Sequence, residues 1–174
     1  MMMQMLEAGG LPVLTDKIRE ADDDNPAGYY ELEAVKKTRS DSSWLQTANG
    51  YVVKVIYALL KDLPNNFEYR VIFMNRNIKE VVASQAKMLE RRGEKGASVN
   101  EEKLIQIFES QLVAIKAWLS QQANYDVIEV DYSSVVGDTI SNAATINDFL
   151  GGHLDPRAMV DAVDSKLYRN RASS

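Results

Sequence analysis

The sequence predicts an α/β fold, an open parallel sheet with helices on its faces, and three observations lead there. Residues 51–57 (YVVKVIY) and 69–74 (YRVIFM) are rich in β-branched and aromatic residues, as strands are, and 125–130 (YDVIEV) reads as the last clear strand. Apart from Arg70, the run at 69–74 is continuously apolar, as expected of a strand covered on both faces. Stretches with apolar residues at helical spacing separate and follow these runs, and crossovers of that length join parallel strands.

The elements follow in chain order. Residues 1–8 read as a helix with no capping residue ahead of it and a stop at Gly9-Gly10. Residues 11–14 form a short apolar run expected to be a buried strand. An acidic loop punctuated by Pro26 and Gly28 comes next, then an expected helix over 29–38. Residues 51–57 (YVVKVIY) read as a further strand, and Pro64-Asn65-Asn66 as a turn. Asn77 with Glu80 forms a capping-box-like start for a helix with Ile78, Val81, Val82, Ala86 and Leu89 on one face. After a charged loop over 91–96, Ser98 with Glu101 is expected to open a longer helix. Its apolar face is Leu104, Ile107, Phe108, Leu112, Ile115 and Trp118. Two more helices are expected over 139–150 and 156–163, ahead of a basic stretch at 168–171.

Composition narrows the classes. A chain of 174 residues with no repeat or linker suits one domain, residues 1–174. The formal net charge of −5 argues against a nucleic-acid partner, whose phosphates need a basic face, while leaving room for a local basic pocket. There is no cysteine, so neither disulfides nor thiolate chemistry is expected. The lone histidine, His153, forms no zinc site by itself and sits in a Gly-Gly-His turn that reads as a surface loop. No membrane span and no signal peptide are legible, so a cytoplasmic location is the expectation.

The segment carrying the most chemistry is 69–85, YRVIFMNRNIKEVVASQ. In open α/β sheets ligands sit beyond the carboxyl ends of the strands. Arg76 lies there, and a guanidinium can fork two charge-assisted hydrogen bonds onto a phosphate. Ser84, eight residues on, could add a hydroxyl to the same anion. Arg76 also has a plainer reading, as a salt-bridge residue at a strand end.

Here the sequence resembles the sulfotransferases that use 3′-phosphoadenosine 5′-phosphosulfate, and in particular a bacterial branch of that family. The Arg76–Ser84 spacing is similar to the pair that holds the 3′-phosphate. Residues 25–31 (NPAGYYE) resemble its NPxGYYE segment, Lys54 lies in a strand like the one carrying an active-site lysine, and 167–171 (LYRNR) resembles its C-terminal segment. The resemblance implies a three-layer, P-loop-like parallel sheet flanked by helices. It implies 3′-phosphoadenosine 5′-phosphosulfate as co-substrate, no metal, and an acceptor hydroxyl or amine on a small molecule or glycan. It casts Arg76, Ser84, Arg169 and Arg171 as cofactor-binding residues, and Lys54 as stabilising the leaving phosphate. Glu31 is the expected base, its plainer reading being a first-turn helix glutamate. The histidine that many members place just after the strand lysine has no counterpart in Val55-Ile56-Tyr57.

One expected part has no counterpart either. The family's first strand and GxPRSGTS-like loop, whose N–H groups cradle the phosphosulfate, match nothing in these residues, and the helix that follows the loop resembles MMMQMLEAGG. The chain is therefore expected to be truncated after that loop and inactive without it. It is also expected to leave strand edges that favour association, a homo-oligomer included. Two other readings stand beside this one: a P-loop kinase-like enzyme, and a non-catalytic nucleotide-binding or interaction module.

Overall fold

The structure is a computed structural model that describes residues 1–19, 21, 22, 25, 28–91, 93 and 100–164. The chain is mixed α/β, as expected. Strands β1 (Tyr69–Asn75) and β2 (Tyr125–Asp131) pair in parallel, with Tyr69 opposite Tyr125 and Asn75 opposite Asp131. Both were expected within a residue of these limits. Helices α2 (Ile78–Arg91) and α3 (Glu101–Leu119) lie between them in sequence and pack on each other. Before β1 comes α1 (Met2–Ala8). After β2 come α4 (Tyr132–Gly137), α5 (Thr139–Phe149) and α6 (Pro156–Asp161).

The two strands place alternate residues in two apolar clusters, one on each face, as the pleat requires. Ile72, Met74, Ile128 and Val130 meet Met5 and Leu6 of α1, Val135 of α4, Ala143 and Ile146 of α5, and Met159 of α6. Val71, Phe73, Tyr125 and Val127 meet Leu60 and, from α3, Ile115 and Leu119. Burial of this kind stabilises by roughly 25 cal/mol per Å² of apolar surface removed from water. It explains why Val71, Ile72, Phe73 and Met74 are all apolar.

Several expectations are corrected. Residues 51–57 and 11–14 are not strands. They meet only in an isolated parallel bridge between Val13 and Val52, with the Leu14 N–H on the Val52 carbonyl at 3.0 Å and the Val52 N–H on the Pro12 carbonyl at 2.9 Å. Pro12 has no N–H to extend the ladder. Strand propensity describes fit to a pleated surface and does not supply the missing neighbour. Tyr57–Asp62 instead forms a 3₁₀ turn whose Leu60 enters the second cluster.

The helix expected over 29–38 shrinks to a 3₁₀ turn, Glu33–Lys37, because the chain ahead of it is held in another conformation. Tyr30 has φ 53°, and Thr15 Oγ1 and the Asp16 N–H both donate to the Glu31 carbonyl. Asn100, accepting from the Glu102 N–H at 2.9 Å, caps α3; Ser98 lies outside the described residues. Ile107, placed on the apolar face of α3, is exposed. The short helix α4 and the 3₁₀ turn Ser43–Thr47 had no legible signal. Among the described residues no helix is long and apolar enough to cross a membrane.

Candidate functional site

The carboxyl ends of β1 and β2 lie side by side, since parallel strands in register finish together. A cavity of about 230 Å³ opens there, lined by Asn75, Arg76, Asn77, Glu80, Asp131, Tyr132 and Ser133. The lining residues are those that end the two strands and begin α2 and α4. Asn77 turns the chain into α2 by accepting the Lys79 N–H on Oδ1 at 3.0 Å, half of the expected capping box. The other half is replaced. Glu80 turns to Arg76, whose Nε lies 3.5 Å from Glu80 Oε2.

Arg76 also lies over the Tyr132 ring, its Cζ 4.9 Å from the centroid, so a cation–π contact fixes it from the second strand's side. Glu80 is only 5 % exposed, whereas the Arg76 side chain is 30 % exposed. The guanidinium therefore has one side against the protein and one toward the opening. Its Nε is buried with no well-aligned hydrogen bond, which makes the ion pair with Glu80 a contact of charge more than of geometry. Asp131 puts a second carboxylate in the wall, and Asn75 Nδ2 donates to Glu129 Oε2 at 3.0 Å just beside it. An incoming anion meets one guanidinium and two carboxylates, and it shares the charge of Arg76 with Glu80.

Ser84 sits half-buried on the second turn of α2 and does not line the cavity. Arg76 and Ser84 share a strand–helix unit, as their spacing required, but the cavity takes only the arginine.

The residues expected to be catalytic form a second group. Lys54 Nζ lies 3.7 Å from Glu31 Oε1 and donates to the Tyr29 carbonyl at 3.0 Å. Arg19 Nη1 approaches the same Glu31 oxygen at 3.3 Å, while the Arg19 guanidinium stacks 3.3 Å over the Tyr29 ring. The Tyr29 hydroxyl donates to the Asp22 carboxylate, with oxygens at 2.7 and 2.8 Å, and burial together with that carboxylate raises the phenol above its ordinary range. The Tyr30 hydroxyl donates to Glu7 Oε2 at 2.7 Å, and burial together with Glu7 pushes its pKa up to about 12. The sequence placed Glu31 and Lys54 in one site, and the fold does bring them into contact. It gave no hint of Arg19, which lies in a stretch with no periodicity.

Chemically, Glu31 is a carboxylate with Oε1 engaged by two cations and Oε2 without a hydrogen bond among the described residues. Lys54 is 40 % exposed, so it reaches solvent past its partners. Pro26 and Ala27 of the NPAGYYE segment lie outside the described residues, as do Arg169 and Arg171. No group of three or more potential metal ligands occurs among the described residues. Comparison of the chain with protein-family models, with curated proteins and with solved structures found no match.

Proposed function

We propose that this chain is the nucleotide-holding scaffold of a sulfotransferase-type site, in a P-loop-like arrangement, with Arg76 taking the 3′-phosphate of 3′-phosphoadenosine 5′-phosphosulfate. The observation that carries the reading is the position of Arg76. It lines the cavity at the carboxyl ends of the two parallel strands, with its charge partly facing the opening. The contact between Glu31 and Lys54 supports it, because the two residues assigned to proton removal and to the leaving phosphate would have to share a site. In the full reaction a sulfuryl group passes from the nucleotide to an acceptor hydroxyl or amine. Glu31 takes the acceptor's proton, and Lys54 leaves Glu31 to neutralise charge on the departing phosphate. Ser84, Arg169 and Arg171 are assigned by resemblance alone.

A second reading has its own support. The sequence contains no Gly-rich loop between a strand and a helix, and Glu31 Oε1 is already held by Arg19 and Lys54. Both features suit nucleotide binding without turnover, so binding is the property to test. Calorimetry with adenosine 3′,5′-bisphosphate should show saturable binding that weakens with salt. Arg76→Ala should weaken it roughly 10- to 100-fold, the worth of one hydrogen bond to a charged group at about 1.5–3 kcal/mol. Wild-type protein that takes up no nucleotide, or Arg76→Ala protein that binds as tightly as wild type, refutes the proposal.

A further inference from the structure

One asparagine of the chain is followed by glycine, at Asn49-Gly50. Asparagine is among the thermolabile residues. The backbone nitrogen of the next residue can attack its Cγ and close a five-membered imide, and a side chain on that next residue hinders the attack. Glycine offers no such hindrance. Whether the reaction runs in the folded protein depends on where the pair sits.

The fold leaves the pair free. Asn49 and Gly50 are the middle of a turn that follows the 3₁₀ segment Ser43–Thr47, closed by the Tyr51 N–H on the Ala48 carbonyl at 3.0 Å. Gly50 has φ 80° and Asn49 does not take a positive φ, the pattern of a type II turn. Both residues are exposed, and nothing lies within 4 Å of the position a Cβ would take on Gly50. Among the described residues neither the Asn49 side-chain amide nor the Gly50 N–H has a hydrogen-bond partner. Attack requires the peptide between the two residues to rotate. Type I and type II turns differ by that rotation and share the closing hydrogen bond, and glycine accepts either sign of φ.

Other asparagines are placed differently. Asn77 and Asn100 use their side-chain oxygens to cap helices, Asn124 donates to the Phe67 carbonyl, and Asn147 is buried. Asn65 and Asn66 are exposed, but the residues that follow them carry side chains.

We propose that Asn49 is a site of spontaneous isoaspartate formation in the folded protein, and that its conversion loosens the bridge between Val52 and the segment at Pro12–Leu14. The Gly50 nitrogen bonds to Asn49 Cγ, the Cγ–Nδ2 bond breaks, and the side-chain nitrogen leaves as ammonia with the proton from Gly50. Water then opens the imide at one of its two carbonyls, giving aspartate or isoaspartate and one added negative charge. Isoaspartate runs the main chain through Cβ and Cγ, which inserts one atom into the ring closed by Tyr51 and Ala48. The next residue, Val52, gives its N–H to the Pro12 carbonyl at 2.9 Å and accepts the Leu14 N–H at 3.0 Å. Lys54, two residues on, donates to the Tyr29 carbonyl at 3.0 Å. A lengthened turn displaces the stretch that makes these contacts. The proposal is independent of whether Arg76 holds a phosphate.

The test is ageing of the full chain in warm, mildly alkaline buffer. Tryptic peptides are mapped by mass spectrometry, and isoaspartate is tagged with an isoaspartyl methyltransferase and labelled S-adenosylmethionine. The peptide 40–54 should be the first to gain label, within about tenfold of the rate of the same peptide made synthetically, because no unfolding precedes attack. Asn49→Ser should abolish label in that peptide, which separates Asn49 from Asp41, and Gly50→Ala should slow conversion at least tenfold. In converted protein the Val52 and Leu14 amides should exchange hydrogen at least tenfold faster, with the β1 amides that face β2 unchanged. Earlier conversion at Asn65 or Asn66 would overturn the proposal, as would Gly50→Ala protein that converts as fast as wild type. So would native conversion more than about a hundredfold slower than in the synthetic peptide, since the turn would then protect the pair. Unchanged exchange at Val52 and Leu14 in fully converted protein would overturn the loosening of the bridge.

Discussion

Gly9 carries a prediction whose size follows from the packing around one atom. Its backbone is right-handed, φ −70° and ψ −4°, so alanine there meets no conformational penalty. The obstacle is space. A methyl group at position 9 would lie 2.7 Å from Met159 Cγ, 3.2 Å from its Sδ and 3.3 Å from Leu154 Cβ. Carbon atoms settle at about 3.5–4.0 Å, so Met159 would have to retreat by roughly an ångström. It has nowhere to go, being fully buried in the cluster with Met5 and Leu6. Forcing a methyl into a packed core costs about 1–3 kcal/mol. Removing glycine's freedom from the unfolded chain returns about 0.4–1 kcal/mol. Gly9→Ala should therefore destabilise by roughly 0.5–2 kcal/mol, read from urea unfolding followed by circular dichroism. In a Met159→Ala background, itself weakened by roughly 2–5 kcal/mol, the added methyl has room and its cost should vanish. An equal cost for Gly9→Ala in both backgrounds would refute the reasoning, since the steric contact would then not be its source.

Other consequences can be checked separately. Glu129 is held below the ordinary glutamate range by hydrogen bonds from Lys116 and Asn75. A depressed carboxyl stabilises the fold above its unfolded value and loses that contribution as pH falls through the folded one. Wild type should thus exceed Glu129→Gln in urea midpoint at pH 7, and the two should converge in acid below pH about 4, a gap that widens in acid being the contrary result. Asp155 caps α6 by accepting the Arg157 and Ala158 N–H groups at 2.9 and 3.1 Å. Asp155→Ala should cost about 1 kcal/mol while Asp155→Asn costs less, and equal losses would show that the cap is not what matters.

Much of this fold was legible where a residue's surroundings are set by its near neighbours in sequence. YRVIFM and YDVIEV announced β1 and β2 because each strand lies between two apolar layers and needs apolar residues on both faces. Asn77 marked the start of α2 for a local reason, a side chain accepting from the peptide group two residues on. Residues 51–57 misled because β-branched composition reports suitability for a sheet, and only the arrangement of the whole chain decides whether a neighbour is present. The 29–38 helix misled in the same way. Helical spacing there is overridden by Thr15 and Asp16, which hold the Glu31 carbonyl.

The site divides along the same line. Arg76 was visible from its place after a buried strand, whereas its partners Glu80 and Tyr132 come from one turn onward and from the start of α4, beyond the far strand. Glu31 and Lys54 were paired by resemblance and do touch. Arg19 escaped notice because a residue in an aperiodic stretch acquires its role only once Tyr29 is in place beneath it.

The two apolar clusters also differ in when they can exist. The second draws on Leu60, Phe73, Ile115 and Leu119, with Tyr125 and Val127, a continuous middle stretch of the chain. The first joins Met5 and Leu6 to Val130, Val135, Ile146 and Met159, and the Gly9 carbonyl accepts the Asp155 N–H at 2.9 Å across the same junction. During synthesis at about 5–20 residues per second, α1 emerges on the order of ten seconds before α6. Until β1, β2, α5 and finally α6 have emerged, Met5 and Leu6 lack the partners that bury them in the folded chain. The middle of the chain can collapse while its first turn of helix waits, an apolar surface on offer to whatever binds nascent chains.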